Sequence, residues 1–175
     1  ASPAVRPWIR YLWGLLHERQ GNTGKALGHY LSVLEYLPRD PWVHLRTGIL
    51  QEQQGEQEQA LFHYKTASDA YPDSFRILFR RSIVTMNLLQ EEESIRIHQK
   101  MIELRPEHAL SLNNLAWMYL TAKDRSLRQP EKALELALKS VELEATIDHI
   151  DTLAEAYFQT GQTAKAIEIL RKGIR

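Results

Sequence analysis

Residues 7–40, PWIRYLWGLLHERQGNTGKALGHYLSVLEYLPRD, and residues 41–74, PWVHLRTGILQEQQGEQEQALFHYKTASDAYPDS, align without a gap. A third block, 75–108, keeps the same 34-residue length, and two more follow at 109–146 and 147–175. A fixed period in the range of about 20 to 50 residues signals a repeat architecture and takes precedence over reading elements one at a time. Each block carries a small residue at its eighth position, namely Gly14, Gly48, Ser82, Ala116 and Ala154. A second small residue, Ala26, Ala60, Ser94, Ala133 or Ala166, faces the first across a turn. Small side chains at both places let two helices approach closely. Gly21, Gly55 and Gly161 mark the turn between them, where a helix must stop. Pro38, Pro72 and Pro106 close the first three blocks, because proline cannot continue a helix. Large residues at Tyr30, Tyr64, His98 and Leu170 are placed to fill the space between hairpins. Each block therefore reads as helix, turn, helix, stop.

Two blocks depart from the pattern. The third has Leu89 where the turn glycine belongs, which makes its geometry the least secure. The fourth carries extra residues, TAKDRSLRQP at 121–130, expected to form a longer turn with Pro130 in the first turn of the next helix.

The small, aromatic and proline residues at these offsets resemble the tetratricopeptide repeat over residues 7–175. The resemblance implies an all-α, right-handed α-solenoid of about five helix-turn-helix repeats and ten helices, here taken as a single domain over 1–175. It further implies that the first helix of each hairpin lines a concave face along which a partner segment lies. The expected contributions are Trp8, Tyr11, Leu12 and Leu15 from block one and Trp42, Leu45, Arg46 and Ile49 from block two. Block three offers Arg76, Phe79, Arg80 and Ile83, block four Leu110, Asn113, Asn114 and Trp117, and block five Asp148, Asp151, Thr152 and Glu155. Trp8, Trp42, Phe79 and Trp117 would be apolar anchors, Asn113 and Asn114 would pair with peptide groups, and Arg76 and Arg80 would hold a carboxylate. The expected ligand is thus a protein or peptide segment carrying an acidic group. Plain readings compete with these: packing for the tryptophans, and a solvated helix face for the arginines and for the acidic residues of block five. Chaperone-binding members of the family hold a C-terminal carboxylate with a Lys, Asn, Asn, Lys, Arg set. The matching positions here are Tyr11, Leu15, Arg46, Arg76 and Arg80, of which only the last two fit, so that binding mode is not expected.

Composition narrows the remaining classes. Twenty-two Lys and Arg balance 22 Asp and Glu, so no net field gathers phosphates, and a nucleic-acid partner is not expected. Apolar runs fall short of the roughly 18 residues of a membrane span. With no cysteine there is neither disulfide nor thiol nucleophile, and cytoplasm and periplasm stay equally open. The start at Ala-Ser-Pro suggests a processed protein or a piece of a longer one, which leaves room for an upstream signal or anchor. The seven histidines show no HExxH spacing, and neither a phosphate loop nor a GxSxG elbow is present. Glu91 to Glu93 read as helix-start charges rather than a catalytic pair. No enzyme, cofactor or metal is therefore expected.

The leading expectation is a bacterial-type adaptor or assembly module. The alternatives are a self-assembling scaffold and the regulatory arm of a larger protein. Ile167, Ile169, Leu170 and Ile174 in the last helix should leave apolar surface for further repeats or an oligomer contact.

Overall fold

The computed structural model describes residues 7–173. It contains ten α-helices: α1 Pro7–Arg19, α2 Thr23–Leu34, α3 Pro41–Gln53, α4 Gln57–Ala70, α5 Phe75–Asn87, α6 Glu91–Leu104, α7 Ala109–Thr121, α8 Pro130–Leu143, α9 Ile147–Gln159 and α10 Thr163–Gly173. No strand occurs among the described residues. The helices fall two to a block, as the repeat predicts. They group into two compact units, Ala1–Leu89 and Gln90–Arg175.

In the first unit the role of the small residues is direct. A Cβ placed on Gly48 would stand 2.7 Å from the Tyr64 ring, and one on Gly14 would overlap the Tyr30 ring. Both tyrosines are fully buried. Tyr30 packs with Ala26, Val33, Val43 and Leu50, and Tyr64 with Leu45, Ile49, Ala60, Leu61, Ala67, Ile77 and Val84. Pro41 opens α3, and the Asp40 carboxylate accepts from the amides of Trp42 and Val43, both at 3.0 Å, which satisfies two otherwise orphaned donors.

Gly21, Gly55 and Gly161 take φ of 74°, 81° and 76° at the hairpin turns. Leu89 takes the same left-handed conformation at 55°, so the third turn keeps its geometry without its glycine and carries the steric strain of a Cβ.

The second unit builds its core from Ile95, Leu115, Ala116, Met118, Tyr119, Leu120, Ala133, Ala137, Leu153 and Ala156. The insertion of block four is a tied loop rather than a slack one. A 3-10 turn at Arg125–Leu127 follows α7, and Pro130 begins α8, as expected. Glu91 in the first turn of α6 accepts from the amides of Lys123 (2.8 Å) and Asp124 (3.3 Å). Arg128 donates to the Ala122 carbonyl at 2.7 Å and the Gln129 amide to the Tyr119 carbonyl at 3.0 Å. On α10, Ala166 is buried and Ile169 packs against the core. Leu170, read from the sequence as filler between hairpins, is 38% exposed, and Ile167 is exposed with it. Ile174 lies outside the described residues.

Candidate interaction surfaces

The first helix of each hairpin presents its second, fifth, sixth and ninth residues on one face, since residues three and four apart are helix neighbours. In the first unit Trp8 and Tyr11 of α1 meet Trp42 of α3 around a cavity of about 290 Å³, closed by Pro7, Val33, Leu37, Asp40 and Val43. Trp8 and Trp42 remain 56% and 48% exposed at its rim. The cap from Asp40 fixes the start of α3, and the Trp42 ring lies 5.6 Å from that of Tyr71, so this indole is positioned from two sides. Tyr11 rests 5.7 Å from the Tyr30 ring and is half-buried.

Leu45 and Ile49, expected at the groove, belong instead to the core. They are 2% and 9% exposed, because the α3 face toward α4 and α5 takes them in. Arg46 and Arg80 lie on the expected face but are engaged. Arg46 pairs with Glu18 at 2.8 Å, and the Tyr30 hydroxyl donates to the same carboxylate at 2.7 Å. One period later, Arg80 pairs with Glu52 at 3.6 Å, and the Tyr64 hydroxyl donates to Glu52 at 2.5 Å. Burial, reinforced by the neighbouring carboxylate, pushes both tyrosine hydroxyls well above the usual phenol range, so they stay protonated and donate. Each latch joins both helices of one hairpin to the first helix of the next. Arg76 is exposed and has no partner among the described residues. Phe79 stacks on Phe75 with centroids 6.4 Å apart.

In the second unit Leu110, Asn113, Asn114 and Trp117 of α7 face Asp148, His149, Asp151 and Thr152 of α9 across a depression of about 350 Å³. Leu110 and Trp117 are exposed, while Asn113 is only 6% exposed and its Oδ1 has no hydrogen-bond partner among the described residues. The His149 ring nitrogen Nδ1 lies 2.6 Å from the Glu144 carbonyl, so Nδ1 carries the proton and donates. The Thr152 hydroxyl donates to the Asp148 carbonyl at 2.9 Å. Glu155 accepts from Gln159 at 2.7 Å.

The ten residues singled out thus divide between the units: Trp8, Tyr11, Trp42, Arg46, Arg76, Phe79 and Arg80 in the first, Asn113, Asn114 and Trp117 in the second. Sequence reasoning missed Glu18 and Glu52, whose recurrence 34 residues apart beside the arginines was the available signal. It also missed His149, which carries no local motif. Among the described residues, no group of three or more His, Asp or Glu could hold a metal ion, and no helix is long and apolar enough to cross a membrane.

Comparison with known proteins agrees with this architecture. Two family models described as tetratricopeptide repeat match residues 11–82 and 152–172. No curated protein matches the chain at the level of sequence. Among solved structures, a MamA protein aligns with a TM-score of 0.82 at 19% identity, over 96% of this chain and 90% of that one. MamA from Desulfovibrio magneticus RS-1 aligns at 0.80 and 18% identity, over 98% and 94%. YrrB, described as a TPR protein with an unusual peptide-binding site, aligns at 0.82 and 16% identity, over 94% and 83%. At such identities the likeness is one of fold. Joined to the 34-residue period and the family matches at both ends, it identifies the chain as a member of the tetratricopeptide-repeat family.

Proposed function

We propose that the chain is a protein-interaction module, an adaptor or assembly factor that holds a segment of a partner protein against the first-helix faces of its repeats. The observation that carries this is the cavity bounded by Trp8, Tyr11 and Trp42. Two indoles stay half exposed beside a preformed apolar hollow, on the helix position where later repeats carry Arg76, Leu110 and Asp148. Aromatic anchors in such hollows dominate binding energy. The peptide-binding description of YrrB supports the same reading by analogy of fold. An acidic group on the partner would meet Arg76 directly, whereas Arg46 and Arg80 would have to exchange Glu18 and Glu52 for it.

Selection of a random peptide library on the full chain tests this. Recovered peptides should bind near micromolar affinity, about −8 kcal/mol, and weaken at least about tenfold with Trp42→Ala. Failure to recover any peptide, or recovery of peptides indifferent to Trp8→Ala and Trp42→Ala, would sink the assignment.

A second reading, self-association, rests on a different observation. Leu12, Trp13 and Leu16 are exposed on α1, and Ile167 and Leu170 on α10. Sedimentation across a dilution series should then show mass rising with concentration, and should lose that rise with Trp13→Glu or Leu170→Glu.

A further inference from the structure

We propose that the depression between α7 and α9 receives a basic side chain of the partner, an arginine guanidinium. This rests on the reading of the chain as a partner-binding module and names one chemical feature of that partner. Asp148 and Asp151 stand three residues apart on one face of α9, and neither has an ion pair among the described residues. No lysine or arginine lines the depression. His149 spends its one proton on the Glu144 carbonyl, which leaves Nε2 with a lone pair. Thr152 spends its proton on the Asp148 carbonyl and keeps only acceptor capacity. Asn113 lines the same depression, is more than nine-tenths buried, and leaves Oδ1 unpartnered.

A buried carboxamide oxygen without a donor is destabilising, and asparagine is a poor residue for a helix interior. A ligand that brings donors gives the Asn113 carboxamide, once turned toward the depression, the partner that the described residues do not supply. Trp117, 45% exposed, offers a ring face at the rim. Two carboxylates, three further acceptors and an indole face together describe a receptor for a planar cation with many N–H groups. A guanidinium satisfies it best, since it can fork to a carboxylate and stack on an aromatic ring at once. A carboxylate ligand would meet repulsion from Asp148 and Asp151.

The test is an NMR titration of the full-length chain with the tripeptide Ac-Gly-Arg-Gly-NH2, with its citrulline counterpart, which keeps the shape and removes the charge, and with its glutamate counterpart. The arginine peptide should shift the amides of α7 and α9 and the Trp117 indole. The citrulline peptide should bind about tenfold more weakly, and the glutamate peptide should leave these signals in place. Asp148→Asn with Asp151→Asn, at exposed positions that leave the fold intact by circular dichroism, should weaken the arginine peptide about tenfold. Equal binding of arginine and citrulline, shifts outside α7 and α9, or full binding to the double variant would each overturn the proposal. Library peptides selected on the whole chain report separately through the α1 and α3 amides, so loss of this site leaves the broader partner-binding reading standing.

Discussion

Repeats one and two carry a polar latch that repeat three lacks. Glu18, Tyr30 and Arg46 recur as Glu52, Tyr64 and Arg80, and the next set of positions holds Met86, His98 and Asn114. The scaffold tolerates this replacement because the helices are set by small residues, caps and turns, not by the latch. What changes is the state of the tyrosine position. Tyr30 and Tyr64 are buried with their one polar atom satisfied, whereas His98 is 1% exposed with neither ring nitrogen partnered among the described residues. The sixth position of the first helix changes too, from an arginine tied to glutamate to Asn114 at the edge of the second unit's depression.

The largest effect expected from breaking this contrast is at a latched position. Tyr64→Ala removes a fully buried ring from against Gly48 and leaves Glu52 without its hydroxyl donor, and should lower stability by about 4 kcal/mol in urea denaturation. A loss under about 1 kcal/mol would show that the latch and its ring are dispensable.

The opposite sign is expected one repeat later. His98→Leu replaces two unpaired buried nitrogens with apolar atoms and should raise stability by about 2 kcal/mol at neutral pH. It should also flatten the acid limb. Burial, with the His108 charge as the lesser cause, lowers the His98 pKa to about 4, so the folded chain keeps this ring neutral where the unfolded chain protonates it near 6.5. Its contribution is therefore fully present above about 6.5 and is lost as pH falls toward about 4. His63, lowered to about 4 by burial and by His44, behaves in the same sense and remains in the variant. A variant with the acid profile of the wild type would remove His98 from this account.

The smallest effect concerns the turns. Leu89→Gly relieves a Cβ from the left-handed region and should stabilise by about 1 kcal/mol, while Gly55→Ala should cost about the same. Thermal melts of the two variants moving in the same direction would contradict the strain at Leu89.

The helices were legible from sequence because every device that makes them is local: Gly48 and Ala60 twelve apart, Gly55 at a turn, Pro72 at a stop. The sites were legible only as helix faces. Trp8 and Trp42 do meet around one cavity, but Leu45 turned inward and Arg46 was claimed by a residue 28 positions away, and spacing along one helix reports neither outcome. His44 and His63 were scattered histidines in the sequence. Folded, their Nδ1 atoms lie 2.7 Å apart, with His44 Nε2 donating to the Pro38 carbonyl, so one Nδ1 carries the shared proton and the other accepts it.

Glu91 reaches the block-four insertion through two backbone N–H groups and no side chain. Its anchorage is therefore indifferent to what residues 123 and 124 are, provided neither is proline. Lys123 can therefore change in charge, size or polarity without loosening that mooring, whereas the Asp124 and Arg128 side chains hold the turn themselves, which makes position 123 the natural place to attach a label to this scaffold.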